Sequence, residues 1–183
     1  MNARNLSYIK KYNDSTAILL ADNKLKTKKY FSKLGVPFAK TFFEIHDRET
    51  LKDFSFESIK AESFVLKPNK GSKGKGILII ERRGKQLFSD GKLLEADMLF
   101  RHMRDILDGA YSISGFQDSI IIEERLLPHH DFQDFCTYGL ADIRIIVFNY
   151  VPVAAMVRIP SVNSSGKANI DQGGIGMGID IGS

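Results

Sequence analysis

At 183 residues, with 43% apolar and 26% charged side chains, the chain can bury a core without disulfide or metal staples, as one domain or two small lobes around a cleft. Its single cysteine, Cys136, excludes an internal disulfide and suits the reducing cytoplasm, and no apolar run approaches the roughly 20 residues of a membrane span. The net charge of +4 is compatible with nucleic acid, acidic lipid or a phosphorylated small molecule.

Residues 5–12 read as a short helix, followed by an apolar patch at 17–21. Asp22 stands where an N-cap belongs, and 23–34 follows as a helix with Leu25, Phe31 and Leu34 on one face and Gly35 as its stop. Val36-Pro37 leads into a strand at 41–45, and Asp47 is placed to cap a second short helix. A strand at 64–67, a glycine-lysine loop and a strand at 76–82 come next, closed by the turn Arg83-Gly84-Lys85. Apolar residues at 98, 99, 103, 106 and 107 have helical spacing, so 95–107 is read as a helix, with Gly109 beyond it. Residues 119–126 form an apolar strand ending in charge, and 142–149 with 152–159 form a hairpin. The tail from 173 to 183 alternates Gly with Ile and Met. This order predicts an α+β fold with antiparallel hairpins rather than a doubly wound sheet.

The stretch from Phe64 to Ile80 is the most informative. Two strand-length apolar runs flank a loop of Lys, Gly and Ser: Gly71, Ser72, Lys73, Gly74, Lys75 and Gly76. Glycines let backbone N–H groups approach phosphate oxygens, and lysines supply point charges, so the loop suits a polyphosphate. Residues 67–85 carry a net +6 and 22–33 a net +4, which leaves −6 for the rest of the chain. The spacing G-x-x-G-x-G is neither a Walker loop nor the dinucleotide G-x-G-x-x-G, and a flexible lysine-rich hairpin is the plainer reading.

Other residues stand beside this loop. Lys67 ends its strand before Pro68, where it either snorkels from the sheet or meets phosphate. Lys24 lies in the first turn of its helix, where free N–H groups favour an anion; Lys26, Lys28, Lys29 and Lys33 read as a solvated face. Glu123 and Glu124 end an Ile-Ile-Ile run, as a plain exit to solvent or as the edge of an adenine site. Asp142 and Arg144 share a strand face that Arg158 can join, as a cross-strand salt bridge or as part of a site. Asn169, Gln172 and Gly173-Gly174 make a polar turn. His129 and His130 are adjacent and point apart in extended chain, so no metal centre is expected from them, and Cys136 reads as an inert thiol. Few aromatics lie near the basic loop, which argues against a single-strand nucleic-acid platform.

Taken in order, four blocks resemble the ATP-grasp superfamily, and within it the RimK-like α-L-glutamate ligase-related proteins. The first runs from Asn2-Ala-Arg-Asn-Leu-Ser-Tyr-Ile through Asp22-Asn-Lys-Leu-Lys-Thr-Lys to Gly35-Val-Pro; the second is Phe64-Val-Leu-Lys-Pro with Gly71-Ser-Lys-Gly-Lys-Gly-Ile. The third is Ile121-Ile-Glu-Glu-Arg, and the last joins Asp142-Ile-Arg-Ile-Ile-Val-Phe, Ala155-Met-Val-Arg-Ile-Pro and Gly166-Lys-Ala-Asn-Ile-Asp-Gln-Gly-Gly.

The resemblance implies ATP held between two α+β lobes. It divides the chain into an N-terminal segment 1–50, a lobe with the phosphate loop at 51–125 and a partial second lobe at 126–183. It also implies a carboxylate–amine ligase that works through an acyl phosphate, with an amino-acid amine and a carboxylate as substrates. Lys24 and Lys67 would hold the ATP phosphates, the loop from Gly71 to Gly76 would close over them, and Glu123 with Glu124 would line the adenine hinge. Arg144, Arg158 and Asn169 would serve the γ-phosphate and the acyl phosphate as catalytic residues. The family's Mg2+ is usually bound by a late Glu-x-Asn pair, which this sequence lacks; Asp171 and Asp180 do not match it. The expectation is therefore a fragment whose metal ligands lie beyond residue 183. A non-catalytic nucleotide-binding module and a basic RNA-binding domain are the competing readings.

Overall fold

The computed structural model describes residues 3–112 and 115–182; Asn2 and Ser183, which belong to segments singled out above, lie outside them. The chain forms two compact units, Met1–Glu124 and Arg125–Ser183.

The first unit begins with a π-helical turn, Arg4–Ile9, running into α1 (Lys10–Tyr12). The apolar patch read at 17–21 is a helix, α2 (Ser15–Ala21), because Asp14 caps it by accepting from the Thr16 and Ala17 N–H groups at 2.8 and 3.3 Å. That displaces the next cap by one residue. Asp22 closes α2 in a helical conformation, and Asn23, in extended conformation, caps α3 (Lys24–Ser32) through the Lys26 N–H at 2.9 Å. Helix α3 also stops short of the expected 34. Phe31 and Leu34 are exposed, so the apolar face read from sequence is not buried beyond Leu25. Asp47 caps α4 (Arg48–Lys52) through the Thr50 N–H at 2.7 Å.

The sheet of this unit has six antiparallel strands in the order β1-β6-β2-β3-β4-β5. They are β1 (Thr41–Ile45), β2 (Ser63–Pro68), β3 (Leu78–Arg83), β4 (Gln86–Ser89), β5 (Lys92–Leu93) and β6 (Ile120–Glu124). Helix α5 (Ala96–Leu107) buries Leu99, Met103, Ile106 and Leu107 in the same core as Phe64, Leu66, Ile80 and Ile122. The period of two along β2 puts Phe64 and Leu66 into that core and turns Val65 and Lys67 to the opposite face. On β6, Ile120, Ile121 and Ile122 are all fully buried, so this interior strand, second from the edge of the sheet, is covered on both faces. The second face is where the lysines gather.

The second unit contains one antiparallel sheet, β7-β8-β9, from β7 (Asp142–Phe148), β8 (Val151–Ile159) and β9 (Ile175–Ile179). Asn149 and Tyr150, with φ of 50° and 68°, make the tight turn between the first two. The Gly-Ile-Gly-Met tail supplies β9, with Gly176 opposite Arg158 and Gly178 opposite Met156. The expected α+β class, with antiparallel hairpins, is the class observed.

Phe64 is fully buried and stacks on Phe56 at 6.1 Å between centroids. Phe64→Ala should cost about 3–5 kcal/mol, seen as a lower denaturant midpoint for the transition of the first unit.

Candidate functional site

On the β-sheet face opposite α5, Lys67 of β2 lies opposite Ile121 of β6, and Glu123 lies opposite Val65. Lys67 and Glu123 are thus diagonal cross-strand neighbours on one face. Lys67 Nζ donates to Glu123 Oε1, and Lys28 Nζ, reaching down from α3, donates to Glu123 Oε2. Lys28 Nζ also donates to the Ala39 carbonyl at 2.9 Å and to Thr41 Oγ1 at 3.0 Å. The Glu123 side chain is only 8% exposed, so its charge depends on these two ammonium groups for compensation. Glu124 points the other way and accepts from the Lys40 N–H at 2.8 Å.

Lys24 holds the start of the glycine loop. Its Nζ donates to the carbonyls of Asn69 at 3.0 Å and Gly71 at 2.7 Å. Burial pushes the Lys24 ammonium below its ordinary pKa of 10.5, the Lys67 charge adds to the shift, and Asp118 and Glu123 oppose it. Asn69, buried, offers its Oδ1 to the Leu25 N–H at 3.0 Å, tying the loop to the first turn of α3. Asp118, also buried, accepts from the Lys70 N–H at 2.8 and 3.0 Å and from the Ser119 N–H at 2.8 Å. An open groove of about 730 Å³ runs alongside α3, lined by Asn23, Lys26, Lys28, Asn69, Lys70 and Asp118 among others.

The far end of the loop is tied to the opposite helix. His102 Nε2 lies 3.0 Å from the Gly76 carbonyl, and Tyr111 Oη lies 3.2 Å from His102 Nδ1. A carbonyl only accepts, so Nε2 carries the proton and Nδ1 accepts from the tyrosine hydroxyl. Burial, helped by Asp105, raises the Tyr111 pKa, which keeps that hydroxyl a donor. Between the tethers, Lys73 and Gly74 take left-handed backbone with φ of 58° and 72°, and the Lys75 N–H bonds back to the Ser72 carbonyl at 3.1 Å. The loop therefore presents a tight turn with the Lys73 and Lys75 side chains exposed.

In the second unit, Arg158 stands opposite Asp142 and clasps its carboxylate, with Nε donating at 2.6 Å and NH2 to the other oxygen. Its NH1 donates to Asn169 Oδ1 at 3.0 Å. The hydrogen bonds it donates to Asp142 raise the Arg158 pKa further, against the effect of burial. Arg144 shares the Asp142 face but is exposed and stands opposite Met156. The structure thus brings Lys24, Lys67 and Glu123 together in one unit and Arg158 with Asn169 in the other, and leaves Arg144 and Glu124 outside both groups.

A family model described as sugar-transfer associated ATP-grasp matches residues 3–183. The chain belongs to the sugar-transfer associated ATP-grasp family. No curated protein matches it. Membership brings ATP binding and an ATP-dependent, ligase-like function, and ATP-grasp domains generally use Mg2+ with the nucleotide. The superfamily expected from sequence is the one matched, through its sugar-transfer branch; the match does not carry the glutamate-ligase kinship. No helix among the described residues is long and apolar enough to cross a membrane.

Among the described residues, no group of three acidic oxygen donors is gathered that would hold Mg2+ by itself. Among the described residues, the one group of three metal-capable side chains is His129, His130 and Asp131, which is exposed and nitrogen-rich where Mg2+ takes oxygen. Near Lys67 the buried acids are Glu123 and Asp118, both already engaged by lysines or backbone N–H groups. The two histidines do not point apart as an extended chain would have them. Because the chain turns into a short 3-10 helix at His130–Phe132, their rings lie 4.0 Å apart and each reaches Asp131, at 3.3 and 2.9 Å.

Sequence reasoning missed Lys28, Asn69 and Asp118. Lys28 was grouped with the solvated lysines, yet it lies four residues after Lys24 and so on the same helix face. That spacing was the available signal. Nothing local marks Asn69 or Asp118.

Gly76 has φ of +73°, and a Cβ there would lie 2.7 Å from Tyr111 Cγ. Gly76→Ala should lower stability by about 1–2 kcal/mol from the backbone alone, with a further steric loss. Gly76→Ala/Tyr111→Ala should regain no more than the steric part, as thermal unfolding of the single and double variants would show.

Lys24 also predicts a pH effect. Its folded pKa is depressed, so between that value and the unfolded 10.5 the unfolded chain binds more protons, and stability rises with pH through this window. A bound anion stabilises the protonated form. Polyphosphate affinity should therefore fall with rising pH below 10.5, with proton uptake on binding visible by calorimetry in buffers of different ionisation heat. Lys24→Met should bind more weakly and lose that alkaline limb.

Proposed function

We propose that the protein is the nucleotide-binding part of a ligase that activates a carboxylate with ATP and joins it to an amine. A carboxylate oxygen attacks the γ-phosphorus, the bond to the β–γ bridging oxygen breaks, and ADP leaves. The amine nitrogen then attacks the acyl carbon, phosphate departs, and the nitrogen loses a proton to give the amide. In this reading Lys67 and Lys24 balance the phosphate charge, and the loop from Gly71 to Gly76 lays its backbone N–H groups along the phosphates. Both charge development and the crowded tetraanion call for fixed positive groups in a partly dry site. Within the second unit, Arg158, with its orientation fixed by Asp142 and Asn169, and the exposed Arg144 are the cations that this unit would offer to a phosphoryl group.

One observation supports the reading above the others: a basic glycine loop tethered at both ends beside Lys67, whose Nζ has one protein acceptor among the described residues. An ammonium group carries three protons, so Lys67 can serve a ligand without leaving Glu123. The family's sugar-transfer association widens the amine from an amino acid, such as glutamate, to an amino group carried on a saccharide. A non-catalytic nucleotide-binding module would keep the same loop and lysines and release no ADP.

Titration of a non-hydrolysable ATP analogue into wild type and Lys67→Ala tests the site. A charge-assisted phosphate contact contributes about 1.5–3 kcal/mol, so the variant should bind roughly 10- to 100-fold more weakly. Binding that survives Lys67→Ala and collapses with added salt would instead mark a nucleic-acid surface. ADP release against a panel of amino acids and amino sugars then separates ligase from module.

A further inference from the structure

We propose that Lys28 is a positioning residue that keeps Lys67 available to a polyphosphate by holding the competing carboxylate of Glu123. The inference rests on the reading of this face as a phosphate site, and it deepens that reading.

The argument is a count of ammonium protons. Each lysine has three to donate and no acceptor capacity. Lys28 uses all three within the protein, on the Ala39 carbonyl, Thr41 Oγ1 and Glu123 Oε2. Lys24 uses two, on the Asn69 and Gly71 carbonyls. Lys67 uses one among the described residues, on Glu123 Oε1. Lys28 therefore has nothing left for a ligand, and it is not a phosphate contact.

Its effect is exerted through Glu123. That carboxylate, 8% exposed on its side chain, is the negative group in direct contact with Lys67 and so the natural competitor of any incoming phosphate. With Lys28 in place, one of the two carboxylate oxygens already has a cation of its own. Lys67 can then share itself between Glu123 and phosphate. Without Lys28, the buried carboxylate would have Lys67 as its one cation in contact and would hold it. The other charged groups that face this cluster, Lys24 and Asp118, stay where they are: Lys24 is fixed to two carbonyls and Asp118 to the Lys70 and Ser119 N–H groups.

The test is a cycle of Lys28→Gln, Glu123→Gln and the double variant, with Lys28→Arg as the charge-preserving control. Each is titrated with two probes, inorganic tripolyphosphate and the ATP analogue, after thermal unfolding has shown it to be folded. Tripolyphosphate has no adenine, so it isolates the phosphate subsite from any contact of Glu123 with the base. Lys28→Gln should weaken tripolyphosphate binding about tenfold, and adding Glu123→Gln should restore it to within about threefold of wild type. Lys28→Arg should stay near wild type. Should Lys28→Gln fail to fold, the Glu123→Gln single variant decides: it should bind tripolyphosphate at least as tightly as wild type. Weak binding by Lys28→Gln that the second substitution does not restore overturns the proposal, as does weaker binding by Glu123→Gln alone. Wild type that takes tripolyphosphate and refuses the ATP analogue would defeat the nucleotide reading while leaving the role of Lys28 to be judged on the first probe. Wild type that takes neither defeats both.

Discussion

A buried glutamate shared by two lysines from different elements is the interaction on which the candidate site depends. Glu123 sits on an interior strand of the sheet, and an ionised carboxylate at that depth persists only with compensating charge. Lys28 brings that charge from a helix and Lys67 brings it from the neighbouring strand. The pairing thus fixes where α3 lies over the sheet, which in turn sets Lys24 against the start of the glycine loop. Packing alone would not do this, since α3 buries little apolar surface: beyond Leu25 it carries lysines, Thr27, Ser32 and two exposed aromatics.

The loop itself is specified from both sides of the sheet. Lys24 reaches its first carbonyl from α3, and His102, oriented by Tyr111, reaches its last from α5. Glycine is required where those tethers bring the chain close to bulky groups. At Gly71 a Cβ would lie 2.3 Å from Pro68 Cγ, and at Gly76 it would meet the Tyr111 ring. Between them, the Lys75 N–H bonds back to the Ser72 carbonyl.

Much of the fold was legible because its signals are periodic. Strand β2 alternates core and site residues with a period of two, and α5 repeats apolar residues at helical spacing. Capping at Asp47 was equally plain. The errors fell where two signals overlap within a few residues. Asp14, Asp22 and Asn23 are all good caps, and only backbone conformation shows that Asp22 ends one helix while Asn23 starts the next. The lysines pose the same difficulty in the site. Five of them between residues 24 and 33 look alike in sequence, and that Lys28 is drawn in beside Lys24 depends on the position of Glu123, far along the chain. Asn69 and Asp118 were invisible for a related reason, since each acts through backbone groups of a distant segment. His129 and His130 misled because a short 3-10 turn replaced the extended chain that adjacency suggests.

The composition of β6 has a consequence for how the sheet aligns. The strand reads Ile-Ile-Ile-Glu-Glu, so sliding it by one residue changes the kind of side chain only at the junction, where Glu123 would take the place of Ile122 in the core. Side-chain pattern, which ordinarily enforces register along a whole strand, does so here through that one step. The residues just before the strand reinforce that step: the Ser119 carbonyl accepts from the Asn69 N–H at 2.9 Å, and Asp118 grips the Lys70 N–H. Alignment of this interior strand therefore rests on one Ile-Glu step and on a polar clasp at its entrance, and the clasp that starts the glycine loop helps decide which of two adjacent glutamates faces the lysines.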